Sequence, residues 1–137
     1  DTAIDANNNN ETFSIALFDL DNFKKVNDTK GHVCGDMVLE NTAKIMMESV
    51  RKSDTVGRYG GEEFMIIFPN TKKEDAFKIT ESIRGKIEKY RFPCDVLATI
   101  SAGVCEYDGT STIELIRKAD TLLYKAKDNG RNRVESL

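Results

Sequence analysis

Apolar residues fall along the chain in short blocks, and the spacing within each block separates strands from helices. Phe13-Ser14-Ile15-Ala16-Leu17-Phe18 is nearly unbroken, which predicts a strand buried on both faces; it stops at Asp19-Leu20-Asp21-Asn22. Leu39, Ala43, Met46, Met47 and Val50 recur at helical spacing and predict one buried stripe. Residues 54–59 and 62–68 flank Gly60-Gly61, a hairpin signal with a glycine turn. Phe64 to Phe68 is again wholly apolar, and Pro69 ends it. Ala76, Ile79, Ile83, Ile87 and Tyr90 hold one face of a second helix, and a strand is expected over about 96–104. Leu115, Ala119, Leu122 and Ala126 mark a last helix, and residues 133–135 an edge strand.

The first six elements therefore read β-α-β-β-α-β. That order predicts an α+β fold, a ferredoxin-like or palm-type βαββαβ antiparallel sheet with helices packed on one face. A C-terminal helix and an edge strand extend it. Residues 1–12 are polar, contain Asn7-Asn8-Asn9-Asn10, and read as a disordered or atypical leader; residues 13–137 form the domain.

At 137 residues, with 39% hydrophobic and 31% charged side chains, the chain has the size and balance of one globular domain with a real core. No apolar run approaches 18 residues and no signal-peptide pattern opens the chain, so a cytoplasmic domain without membrane contact is expected. Twenty Lys and Arg against 23 Asp and Glu give a net charge of −3. That balance argues against a nucleic-acid polymer as partner, and phosphate recognition must come from placed residues. Cys34, Cys94 and Cys105 are odd in number, far apart and lack a CxxC pair; reduced thiols are expected, not a disulfide framework or zinc site. The lone His32 cannot build a His-rich metal site.

Candidate chemistry lies in carboxylates at strand ends. Asp19 closes the first buried strand, with Asp21 on the same side by the period-two rule, and Glu62 and Glu63 sit at the diglycine turn. Taken singly these are ordinary solvated strand-end acids, and Asp21 also suits the N-cap of the following helix. Taken together, they repel unless a cation neutralises them, and oxygen ligands without His or Cys suit Mg²⁺ or Mn²⁺.

Gly60-Gly61-Glu62-Glu63-Phe64, preceded by Arg58-Tyr59, resembles the signature of the GGDEF family of diguanylate cyclases in its GGEEF form. The stretch from Phe18 to Asp28 is similar to the family's first metal and nucleotide segment, and Gly31-His32-Val33-Cys34-Gly35-Asp36 matches GHxxGD. Ile100 to Val104 resembles the SxGV strand, and Ala119-Asp120 through Arg131-Asn132 the closing helix motif. Five ordered motifs at family spacing, from about Phe13 to Arg133, are far more specific than any one pentapeptide. Residues 1–12 show neither the DxLTGLxNRR-like segment nor the long helix with which such domains usually begin.

The resemblance implies condensation of two GTP into cyclic di-GMP, with release of two pyrophosphates, across a homodimer. It implies that Asp19, the Leu20 backbone carbonyl, Glu62 and Glu63 hold one or two Mg²⁺ (or Mn²⁺) per subunit. Glu62 is also its candidate for accepting the 3′-hydroxyl proton. Independently of the family, Asn22-Phe23-Lys24 opens a helix whose free N–H groups suit an anion. Lys127 and Arg131 match the β- and γ-phosphate contacts, though alone they read as helix-end cations. Gly60 and Gly61 allow close backbone approach. Asn27 and Asp36 match guanine-reading positions, against bland readings as turn and helix-start residues, and His32 suits a pocket wall. Arg51-Lys52-Ser53-Asp54 resembles the RxxD site at which cyclic di-GMP inhibits the enzyme. An upstream sensory or receiver domain is the expected partner. The alternative is a non-catalytic sensor that binds GTP or cyclic di-GMP.

Overall fold

The computed structural model describes residues 12–137, so all but the last position of the expected leader lies outside the described residues. Strand β1 (Phe13–Leu20) runs through the centre of a five-stranded sheet and is buried at every position. It pairs antiparallel with β3 (Glu63–Pro69) on one side and β4 (Ile100–Glu106) on the other. Strand β2 (Thr55–Arg58) lies outside β3, and β5 (Val134–Ser136) lies outside β4, giving the order β2-β3-β1-β4-β5. Four helices complete the chain: α1 (Phe23–Lys30), α2 (His32–Ser49), α3 (Lys73–Lys89) and α4 (Thr112–Asp128).

The expected α+β architecture is present, with two refinements. Ala16, Phe18 and Leu20 of β1 face a core shared with Val38, Met46, Ile83 and Ile87 of α2 and α3. Phe13, Ile15 and Leu17 face a second core formed with Leu115, Ala119, Leu122 and Leu123 of α4. Helices therefore cover both faces, which is why β1 could not alternate polar with apolar. The β4–β5 pair is parallel, so the sheet is mixed. In β3, Phe64, Ile66 and Phe68 are fully buried while Met65 and Ile67 are half-buried on the α4 side.

The helical stripes shift slightly from expectation. Helix α2 buries Val38, Leu39, Thr42, Ile45 and Met46, leaving Met47 62% exposed, and Val50 falls just beyond its end. Thr42 was not legible as core because its hydroxyl is polar; inside the helix it donates to the Val38 carbonyl at 2.8 Å. Helix α3 likewise buries Thr80 with Ala76, Ile83 and Ile87, while Tyr90 follows the helix and donates its hydroxyl to Asn41 Oδ1. The strand expected from residue 96 begins at Ile100, since Pro93–Asp95 form a short 3-10 turn.

The cysteine expectation is overturned. Cys34 and Cys94 form a disulfide with their Cα atoms 6.1 Å apart, although 60 positions separate them in the chain. Cysteine spacing cannot reveal which distant loops the fold brings together. Cys105 is free and buried in β4, in agreement with the reading of a reduced thiol. Among the described residues, no helix is long and apolar enough to cross a membrane.

Candidate active site

The carboxylates meet because of strand register. Asp19 is the cross-strand partner of Glu63, and the Leu20 N–H donates to the Glu62 carbonyl at 3.3 Å. Cross-strand partners project to the same face of a sheet, here the α4 face. Asp19 is only 7% exposed, and its carboxylate accepts a hydrogen bond from the Lys127 ammonium at the end of α4. Burial pushes the Asp19 carboxyl above the usual range, and the Asp21 charge adds to this; Lys127 and Arg131 pull against it. Burial, then the Asp19 charge, likewise raises Glu62 and Glu63; Glu63 also feels Asp120 on the outer face of α4.

The Asp19 charge acts on both Glu62 and Glu63, so the three carboxylates lie in one partly buried electrostatic environment. Hard oxygen donors in such an environment fit a divalent cation. Among the described residues, no three His, Cys, Asp or Glu side chains are already drawn around one point; Lys127 is the group that neutralises Asp19.

The diglycine turn is shaped by residues that the sequence reading did not assign. Arg58 donates to the carbonyls of Gly60 and Gly61 and lies over the Phe64 ring, 5.6 Å from its centroid. A side chain at Gly60 would meet Glu63 Oε1 at 2.8 Å, so the turn and the carboxylate pack directly together.

Asp21 also has a structural assignment. Rather than capping α1, it is buried and accepts hydrogen bonds from Thr99 Oγ1 (2.8 Å), Ser101 Oγ (2.7 Å) and the Asn132 N–H (3.0 Å). Asn22 occupies the cap position instead, in a left-handed conformation at φ 56° with no side-chain cap. Asp21 thereby ties the end of β1 to the turn carrying Arg131 and Asn132, both left-handed. The partners lie 78 or more positions away in the chain, so no local signal marks them.

Helix α1 presents exposed Asn22 and Lys24 at its start and buries Phe23. Gly31, at φ 89°, turns the chain into α2. Asn27 lies against Gly35, where an added Cβ would sit 1.9 Å from Asn27 Oδ1. His32 is exposed at the start of α2, and Asp36 lines a hollow of about 260 Å³ with Leu39, Glu40, Ala43 and Arg58. The fold thus brings Asp36 next to the hairpin strand, facing the same arginine that holds the diglycine turn.

Arg51 and Asp54 stand apart, at the opposite end of β2 from that turn. The Arg51 guanidinium grips Asp54 through Nε (3.0 Å) and Nη2 (2.8 Å), and Nη2 also reaches Thr71 Oγ1 at 2.5 Å. Those bonds raise the Arg51 pKa, and the Asp54 side chain is fully covered.

Comparisons with known proteins give the family of the chain. The family model "Diguanylate cyclase, GGDEF domain" matches residues 1–133. Diguanylate cyclase A of Treponema denticola is 45% identical over 129 residues, covering 90% of this chain and 35% of its own. Diguanylate cyclase DosC of Escherichia coli K12 is 38% identical over 135 residues, covering 95% and 29%. The chain therefore spans about a third of the length of these curated relatives. Among solved structures, the active GGEEF domain of a diguanylate cyclase from Vibrio cholerae superposes with a TM-score of 0.92 at 36% identity, covering 98% of this chain and 88% of that one. The GGDEF domain of DgcB from Caulobacter crescentus, solved in complex with c-di-GMP, gives 0.93 at 32% identity, covering 98% and 83%. A family match over nearly the whole chain, with acidic strand ends and a diglycine turn in register, makes this protein a member of the GGDEF-domain family of diguanylate cyclases.

Proposed function

We propose that the domain condenses two GTP molecules into cyclic di-GMP, each 3′-hydroxyl attacking the α-phosphate of the other nucleotide and expelling pyrophosphate. The observation that carries this reading is the register setting Asp19 opposite Glu63 beside the diglycine turn, with Lys127 and Arg131 arriving from the end of α4. Asp19, the Leu20 carbonyl, Glu62 and Glu63 would hold one or two Mg²⁺ (or Mn²⁺) per subunit. When bound, the metal supplies charge neutralisation and Lewis acidity at the phosphoryl groups.

The remaining work falls to the chain itself. Glu62 accepts the 3′-hydroxyl proton, and its raised proton affinity brings it nearer the working pH of a general base. Backbone N–H groups at Asn22, Phe23 and Lys24 hold phosphate oxygens, as do the close backbone of Gly60 and Gly61 and the cations of Lys127 and Arg131. Asp36 accepts hydrogen bonds from guanine N1–H and the 2-amino group, with Asn27 beside it and His32 at the wall. Adenine offers neither donor in that arrangement, so ATP would leave the carboxylate unpaired.

Each subunit holds one GTP, so two must face each other in a homodimer for reaction. Cyclic di-GMP docks at Arg51 and Asp54 as inhibitor, with Arg gripping guanine O6 and N7. The relatives' greater length leaves room for a further domain, which the family resemblance makes an upstream sensory or receiver domain, and a GTP substrate supports a cytoplasmic setting.

Incubation of a dimeric sample with GTP and Mg²⁺, with chromatographic separation of products, tests the reading. Wild type should yield cyclic di-GMP, and Glu62→Gln should lose about 100-fold or more in rate. A demonstrably dimeric wild type that makes no cyclic dinucleotide would refute it.

A further inference from the structure

We propose that Cys34 and Cys94 form a redox modification site that locks the nucleotide-reading end of the domain. The inference rests on the functional reading above for its consequence, and on the fold for its existence.

Cys34 lies in the first turns of α2, between His32 and Asp36 and next to Gly35, against which Asn27 packs. Cys94 lies in the turn before β4, where Cys94 and Asp95 are both left-handed at φ 64° and 58°. Residues 95–99 beyond it line a cleft of about 580 Å³ together with Asp21, Asn22, Lys25 and Val26. Helix α1 therefore borders both cross-linked segments, packing against α2 and sharing the cleft with residues 95–99. Its junction with α2 is the single residue Gly31, whose positive φ is a natural hinge. The disulfide ties together the two segments that flank α1, the helix that carries Asn27 and, in the functional reading above, the phosphate-facing N–H groups.

Buried Phe92 and Val96 anchor the turn on either side, while Cys94 itself is exposed and open to attack. A thiolate of a small dithiol attacks the Cys94 sulfur, forming a mixed disulfide and releasing the Cys34 thiolate, which takes up a proton. The second thiol of the reductant then displaces Cys94. Two electrons and two protons pass from the dithiol to the protein, and the dithiol leaves as its own cyclic disulfide. Oxidised glutathione reverses the change by the same exchange.

Opening the disulfide frees the first turn of α2, and α1 packed against it, to move about Gly31, so the oxidised form binds GTP more tightly. Protein purified without reductant and equilibrated with oxidised glutathione should show one alkylatable thiol after unfolding (Cys105), and three after dithiothreitol treatment. Reduction should speed amide exchange over residues 31–37 and 92–99 and weaken the GTP Kd at least threefold. Cys34→Ser and Cys94→Ser should behave as the reduced form with or without reductant, and Cys105→Ser should keep the full redox response. Three free thiols under oxidising conditions would overturn the proposal, as would a formed disulfide whose reduction changes neither exchange nor GTP affinity. GTP that binds neither form would instead overturn the cyclase reading, leaving amide exchange to decide the redox site.

Discussion

Replacing Gly35 with Ala separates folding from nucleotide recognition. The new Cβ would lie 1.9 Å from Asn27 Oδ1, 3.0 Å from Asn27 Cγ and 3.3 Å from Phe23 Cζ. An ordinary carbon–oxygen contact is well over 3 Å, so the Asn27 carboxamide must swing away by more than an ångström. Phe23 need yield only a few tenths. Because the obstructing atom is the tip of a flexible side chain, the fold can absorb the change. Ala favours the helix over Gly by about 0.5–1 kcal/mol, against an overpacking cost of about 1–3 kcal/mol. The net effect on stability is therefore expected between roughly zero and a loss of 2.5 kcal/mol. Recognition should suffer specifically, because displacing Asn27 forfeits one neutral hydrogen bond to the base. Such a bond is worth about 0.5–1.5 kcal/mol, which is roughly a 2- to 12-fold weaker GTP affinity and the same loss of preference over ATP. Gly85→Ala is the matched control: it lies inside α3 with open space where its Cβ would go. It should raise the melting temperature by a few degrees and leave GTP binding alone. Calorimetric titration with GTP and ATP, beside thermal melts of both variants, gives the answer. A folded Gly35→Ala protein with wild-type GTP affinity and selectivity would refute the placement of Asn27 in the base site.

Gly103→Ala should be far more damaging, since its Cβ would meet the backbone of α4 at Ala119 O (2.3 Å) and Leu123 N (2.6 Å). Lifting α4 from the sheet should cost about 3 kcal/mol, read from a urea midpoint. Asp21→Ala strands the hydroxyls of Thr99 and Ser101 and the Asn132 N–H, and should lose at least about 2 kcal/mol in the same assay. The raised pKa values of Asp19, Glu62 and Glu63 mean that the folded chain holds more protons than the unfolded one above about pH 4. Their contribution to stability therefore falls as pH rises through that window towards the raised values. Without divalent ions, an Asp19→Asn, Glu62→Gln, Glu63→Gln triple variant should flatten the decline; an unchanged slope would count against a shared environment. Arg51→Ala and Asp54→Ala should each relieve inhibition by cyclic di-GMP, measured as a rightward shift of the inhibition curve.

Local chemistry made much of the molecule legible. The nearly unbroken apolar run before Asp19, the glycine pair between two strand patterns and the helical spacing of Ile83 and Ile87 all act over a few residues, so composition and period suffice to place them. The strand-end acids were visible for the same reason. What the one-dimensional pattern could not supply is partnership. Lys127 reaches Asp19 across 108 positions, Asn132 reaches Asp21 across 111, and Cys94 meets Cys34 across 60. A hydrophobic period says that a face is buried without saying by what; α4 turned out to cover the second face of β1 and so to deliver Lys127 and Arg131 to the acids. The buried hydroxyls of Thr42 and Thr80 were hidden by their polarity, which the helix itself neutralises. Chain closure around the sheet, which no neighbouring residue encodes, decided which charges meet.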